Sequence, residues 1–316
     1  MKNKYPSVSL LKELTNAYNV VVQKGNVTAS NIYALQLRSE QHDTYITRGS
    51  RSTGVLNKSP ELILYGSSGN TAGAHTQTWE YANRSKSWLV GTKPNADNWA
   101  KQIARVQFPS YGTVIHYSNT EMPRLSYLNR AGQEFGIDYA GANMKRVEAA
   151  VSPSYQDLLI ASVDYNGTGY FSIYNLEEVN NALDRVEGTG QDVPITNLSC
   201  RAAFRIDNFN STVDSIQGYD IDDDRNIFVS SQHSPKNITD TERKRKIYKI
   251  PWGVADDDQW EVAELNDDYL DVSGHISEFE SVQVIDSNTL YLTVSYHDIN
   301  NGLKSNRHRI YEIDWY

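Results

Sequence analysis

The sequence predicts an all-β fold, a five-bladed β-propeller. Three observations lead there. Five hairpin-like units recur along the chain, each is followed by a further strand-like run, and an unused strand-like segment near the N-terminus is available to complete the last unit. The 316 residues include 21 Tyr and 6 Trp, residue types that favour strands.

The hairpins set the register. Glu148, Gln217 and Glu280 each stand ten residues ahead of an apolar run that begins at Leu158, Ile227 or Leu290, with a polar turn between. Gln77 ahead of Trp88–Thr92 and Gln23 ahead of Ile32–Leu37 are weaker copies. The third strand of each unit reads Thr44–Thr47, Gln102–Val106, Tyr170–Tyr174, Lys246–Ile250 and Arg309–Ile313, the last three sharing an Ile-Tyr step. Fourth strands are expected at Leu62–Tyr65, Thr113–Tyr117, Ala203–Ile206 and Trp260–Leu265. The fifth unit ends at Tyr316 without one. Val8–Leu14 is expected to fill that place against Arg309–Ile313, closing the ring and removing an exposed edge. The whole chain, 1–316, then reads as a single domain with blade cores near 19–66, 75–118, 145–207, 215–265 and 278–316, plus the strand 8–14. Leu176, Val179, Leu183 and Val186 recur at helical spacing, so 176–186 is expected to be a helix, ended by Gly188 and Gly190.

Charge and composition narrow the function. A net charge of −9 argues against general nucleic-acid binding. The basic run Arg243–Lys246 follows Thr239-Asp240-Thr241-Glu242 and reads as the solvated start of a strand. No apolar stretch approaches the ~20 residues of a membrane span, and Met1–Leu14 holds no apolar core of signal-peptide length. The single cysteine, Cys200, excludes an internal disulfide and reads as packed in a strand.

The anchors Gln23, Gln77, Glu148, Gln217 and Glu280 are expected to form an axial ring, with His75, Arg146, Ser215 and Glu278 nearby. Two readings stay open: a polar pocket for a ligand or cation, or a watered channel whose side chains satisfy one another. Glu148 and Glu280 are the carboxylate pair a glycoside hydrolase would use, if the chain is an enzyme. Asp220–Asn226 resembles a calcium loop but has Arg225 and Ser231 where Gly and Glu belong, so it reads as an Asp-rich turn. No nucleophile elbow, zinc helix or metal-ligand spacing is found, and neither a metal nor a cofactor is expected.

The segments His75–Glu80, Trp99–Val106, His116–Gly132, Glu148–Pro153 and Ser215–Asp220 are similar to the helveticin J family, the large, heat-labile bacteriocins of lactobacilli. The similarity runs from about Val21 to Tyr311, and the stretch His116–Gly132 is the most specific. It implies an antibacterial protein, secreted or at the cell surface, acting on related Gram-positive bacteria, and it brings no catalytic residues with it. A large acidic β-protein lacks the cationic amphipathic character of membrane-disrupting peptides. The expected partner is therefore a cell-envelope glycan or surface receptor. The resembling segments also carry the expected ligand contacts: His75, Gln77, Trp79 and Glu80 in one, Arg124, Tyr127 and Asn129 in the other. Trp79 and Tyr127 equally suit core packing. A wall-degrading glycosidase and a non-lethal lectin or adhesin remain the alternatives.

Overall fold

A computed structural model describes residues 1–240, 243–266 and 268–316. Thr241 and Glu242 of the expected acidic lead-in lie outside the described residues, and the strand that follows begins at Lys246. Among the described residues the strands form five sheets of four or five strands each, the complement of a five-bladed β-propeller. Contacts divide the chain into two compact units: Met1–Leu37, Ile46–Pro60 and Val213–Tyr316 make the first, and Arg38–Tyr45 with Glu61–Thr212 the second.

Two whole sheets lie in the first unit. One runs Ser7–Leu14, Lys304–Asp314, Thr289–Asp298, His275–Val284. Here the N-terminal strand pairs antiparallel with the C-terminal one, Val8 opposite Ile313 and Glu13 opposite Arg309, as the sequence leads one to expect. Arg307 and Arg309 both donate to the Glu13 carboxylate, at 2.8 and 3.3 Å. The other sheet runs Ile216–Ile221, Ile227–Ser231, Lys246–Ile250, Glu261–Glu264, then Lys2–Lys4. Their core joins Val8, Phe228, Phe279, Leu292, Tyr296, Tyr311, Ile313 and Trp315. The hairpin Val22–Val27 with Asn31–Arg38 begins a third sheet.

The second unit also holds two whole sheets. Met144–Val151, Asp157–Asp164, Gly169–Asn175 and Cys200–Ile206 form one. Between its last two strands the helix Leu176–Val186 sits where the periodicity places it, its N-terminus capped by the Asn175 side chain accepting from the Glu178 amide. Trp79–Tyr81, Ser87–Pro94, Ala100–Gln107, Arg124–Ser126 and Asp192–Pro194 form the other.

The run Thr113–Tyr117 was expected to be the fourth strand of the second blade, yet Ile115–Tyr117 pairs in parallel with Leu62–Leu64. The fourth position is taken by Arg124–Ser126, with Arg124 opposite Ala104 and Leu125 opposite Ile103. An apolar run identifies a strand but not its partner, and the loop with Pro109 and Gly112 carries this one away. The same device recurs at two more sheet edges: Lys2–Lys4 adds in parallel to Glu261–Glu264, and Asp192–Pro194 to Arg124–Ser126.

Candidate functional site

Each expected anchor lies on or just before a strand at one edge of its sheet, the strand that opens its hairpin. In the first unit three of them mark bulges. The ladder slips between Val22 and Lys24, between Ile216 and Gly218, and between Phe279 and Val282, around Gln23, Gln217 and Glu280. A bulge re-aims side chains at a chosen point of a strand. Gln217 Nε2 donates to the Gln232 carbonyl at 2.6 Å and to Ser215 Oγ at 3.3 Å. Glu280 is buried, and its backbone carbonyl accepts from the Ser230 hydroxyl. The neighbouring Glu278 accepts from Ser234 and lies 2.5 Å from His297 Nε2.

The second unit holds a polar knot around Glu148. Its Oε2 accepts from Thr78 Oγ1 at 2.6 Å, Thr76 Oγ1 at 2.9 Å and the Gln77 amide at 3.0 Å. Its Oε1 lies 3.4 Å from an Arg146 nitrogen, and that nitrogen donates to Gln77 Oε1 at 2.7 Å. The Arg146 guanidinium packs 4.1 Å from the centre of the Trp99 ring, which stacks on His75 at 3.9 Å. Burial, and then the Arg146 charge, push the His75 pKa down to about 3, so the imidazole is neutral at physiological pH. The three donors commit Oε2 to the local structure, while Oε1 has the longer guanidinium contact. Glu148 and Glu280 belong to different units.

Of the two expected ligand segments, one is inside. Trp79 is fully buried and stacks on Trp88 at 4.8 Å with nearly parallel rings, and Glu80 is buried beside it. The other lines a cleft of about 730 Å³, wholly within the second unit. Arg124 lies buried along it and donates to the Thr71 and Asn119 carbonyls. Burial lowers its pKa, and Asp192 and Glu121 oppose that shift. Tyr127 is 57% exposed with a left-handed backbone, φ 54°. Asn129 Nδ2 donates to the Gly141 carbonyl at 3.0 Å. Lys93, Lys101, Gln102 and Asp192 line the same cleft. Sequence reasoning passed over these four. The one signal for the lysines was that 93 and 101 bracket a polar turn with no acid beside either.

The family model for the bacteriocin helveticin-J matches residues 2–316. The bacteriocin helveticin-J of Lactobacillus helveticus is 41% identical, over 99% of this chain and 98% of that protein. The chain belongs to the helveticin-J family. Among solved structures, a GH43 β-1,3-galactosidase aligns at TM-score 0.50 and 9% identity, over 98% of this chain and 60% of that one. The catalytic domain of a Coprinopsis cinerea GH62 α-L-arabinofuranosidase aligns at TM-score 0.48 and 10% identity, over 99% and 97%. The galactosidase likeness is one of fold alone. In this helveticin-J family member, the stretch His116–Gly132 supplies Thr120, Arg124, Ser126, Tyr127, Leu128 and Asn129 to the cleft. His75–Glu80 and Glu148 build the knot. Among the described residues, no helix is long and apolar enough to cross a membrane. In the Asp220–Asn226 segment, Asp220 and Ile221 end a strand and a turn follows, in which Asp222 accepts from the Asn226 backbone and side-chain amides, both at 2.7 Å.

Proposed function

We propose that this protein is a secreted or surface-bound bacteriocin that binds the envelope of related Gram-positive bacteria without cutting it, using the cleft beside Tyr127. Membership of the helveticin-J family carries the reading. The cleft supports the choice of surface. It is of ordinary ligand size and joins an exposed aromatic ring to a few placed polar groups, the combination small-ligand sites use. The three hydrogen bonds that tie Glu148 Oε2 to Thr76, Gln77 and Thr78 give that carboxylate a structural role, which favours binding over hydrolysis.

The test is co-sedimentation with purified cell walls, run beside an assay for released reducing ends and a viability count. Walls should carry the protein down and release no sugar, and sensitive cells should die. Tyr127→Ala should weaken binding about tenfold, since its exposed ring contributes little to the core. Released reducing ends would favour a wall hydrolase, and binding without killing a lectin or adhesin.

A further inference from the structure

The cleft carries an unbalanced charge. In the hairpin Ser87–Pro94 with Ala100–Gln107, Thr92 faces Gln102 and Pro94 faces Ala100, so Lys93 and Lys101 stand between those pairs on adjacent strands. Both are exposed, both line the cleft, and neither has an ion-pair partner among the described residues. Like charges set opposite one another on neighbouring strands repel. Lys93 also holds a left-handed backbone, φ 60°, a conformation that costs a non-glycine residue free energy and is fixed here by its amide donating to the Thr71 carbonyl at 3.0 Å. The cleft's one carboxylate does not offset the pair. Asp192 sits opposite buried Arg124 in the ladder and accepts from Gln102 Nε2 at 3.1 Å. Two unmatched cations therefore share one cleft in a chain of net charge −9.

We propose that this cleft takes an anionic glycan, a sugar chain bearing phosphate or carboxylate groups. The lysine pair holds the anion and relieves its own repulsion, and the exposed Tyr127 ring packs against a sugar face. The proposal rests on the reading of the cleft as the envelope-binding surface.

Three soluble probes test it by calorimetric titration of the whole protein: inorganic polyphosphate, an oligogalacturonate and neutral maltohexaose. The parent should bind polyphosphate or the oligogalacturonate, whichever matches its natural anion, and not maltohexaose. Affinity should fall as salt rises. Lys93→Gln with Lys101→Gln should lose tenfold or more. Lys58→Gln with Lys244→Gln, an equal charge loss at exposed sites outside the cleft, should lose less than twofold. Undiminished anion binding by the cleft variant, equal loss in the control variant, or no binding of either anion overturns the proposal. Wall co-sedimentation separates the two claims. Parent and cleft variant sedimenting equally with walls would sink the anion site and leave envelope binding standing. Anion binding that needs the lysines, with no wall binding by the parent, would do the reverse.

Discussion

Glu148, which the sequence offers as half of a carboxylate pair if the chain is an enzyme, also holds a structural position in the fold. Four groups converge on its carboxylate, and three of them come from the consecutive residues Thr76, Gln77 and Thr78. It ties the segment before one sheet to the first strand of the next. Glu148→Ala would leave Arg146 buried beside stranded hydroxyls, a loss of about 3–5 kcal/mol. Chemical unfolding should show that loss, and an unchanged unfolding midpoint would contradict the role. His308 is a second residue whose burial has a measurable effect. Its Nε2 donates to the Tyr18 carbonyl at 3.3 Å, and its Nδ1 accepts from Ser295 Oγ at 3.0 Å. Burial chiefly pushes its pKa down to about 4. The unfolded chain takes up this proton near the ordinary histidine value of about 6.5, whereas the folded chain resists until about pH 4. The stabilisation is therefore complete above pH 6.5 and is lost as pH falls from there toward 4. His75 acts with the same sign, toward about 3. Urea midpoints should drop between pH 7 and 4.5, and His308→Gln should flatten that dependence, the effect being on the order of 3 kcal/mol. A midpoint independent of pH in both proteins would refute it.

Elements show where the sequence could be read and where it could not. The hairpins were legible because two strands and a turn form one local pattern, and the helix because four apolar residues recur at its period. Partner choice was not local. Thr113–Tyr117 has strand character, but only the folded chain places Ile115–Tyr117 beside Leu62–Leu64. Nor could spacing tell that Trp79 is sealed against Trp88 while Tyr127 stays open, since both are aromatic residues amid polar ones. Trp79→Ala should cost about 3–5 kcal/mol of stability, so lost binding in that variant would report unfolding. The strand Ser7–Leu14 offers a sharper test. It covers one edge of Lys304–Asp314 and buries Val8 and Leu14. Removing residues 1–14 should expose that edge, lower the melting temperature by several degrees and promote association. A truncated protein that melts and stays monomeric like the parent would deny the strand its closing role.

For the whole molecule, net charge and site charge point in opposite directions. An acidic protein does not adhere to anionic envelopes by bulk attraction, so the proposed envelope binding would have to come from a local, shaped surface. The cleft with Lys93, Lys101 and Tyr127 is such a surface. Recognition of this kind should be saturable and specific for the wall of the target. The measurement that tests the central claim most directly is co-sedimentation of the intact protein with purified walls of a sensitive Gram-positive strain, with reducing ends counted in the supernatant of the same tube. Saturable binding that weakens about tenfold on Tyr127→Ala, with no reducing ends released, is the predicted result. Reducing ends that accumulate with the parent and vanish with Glu148→Gln or Glu280→Gln would contradict it.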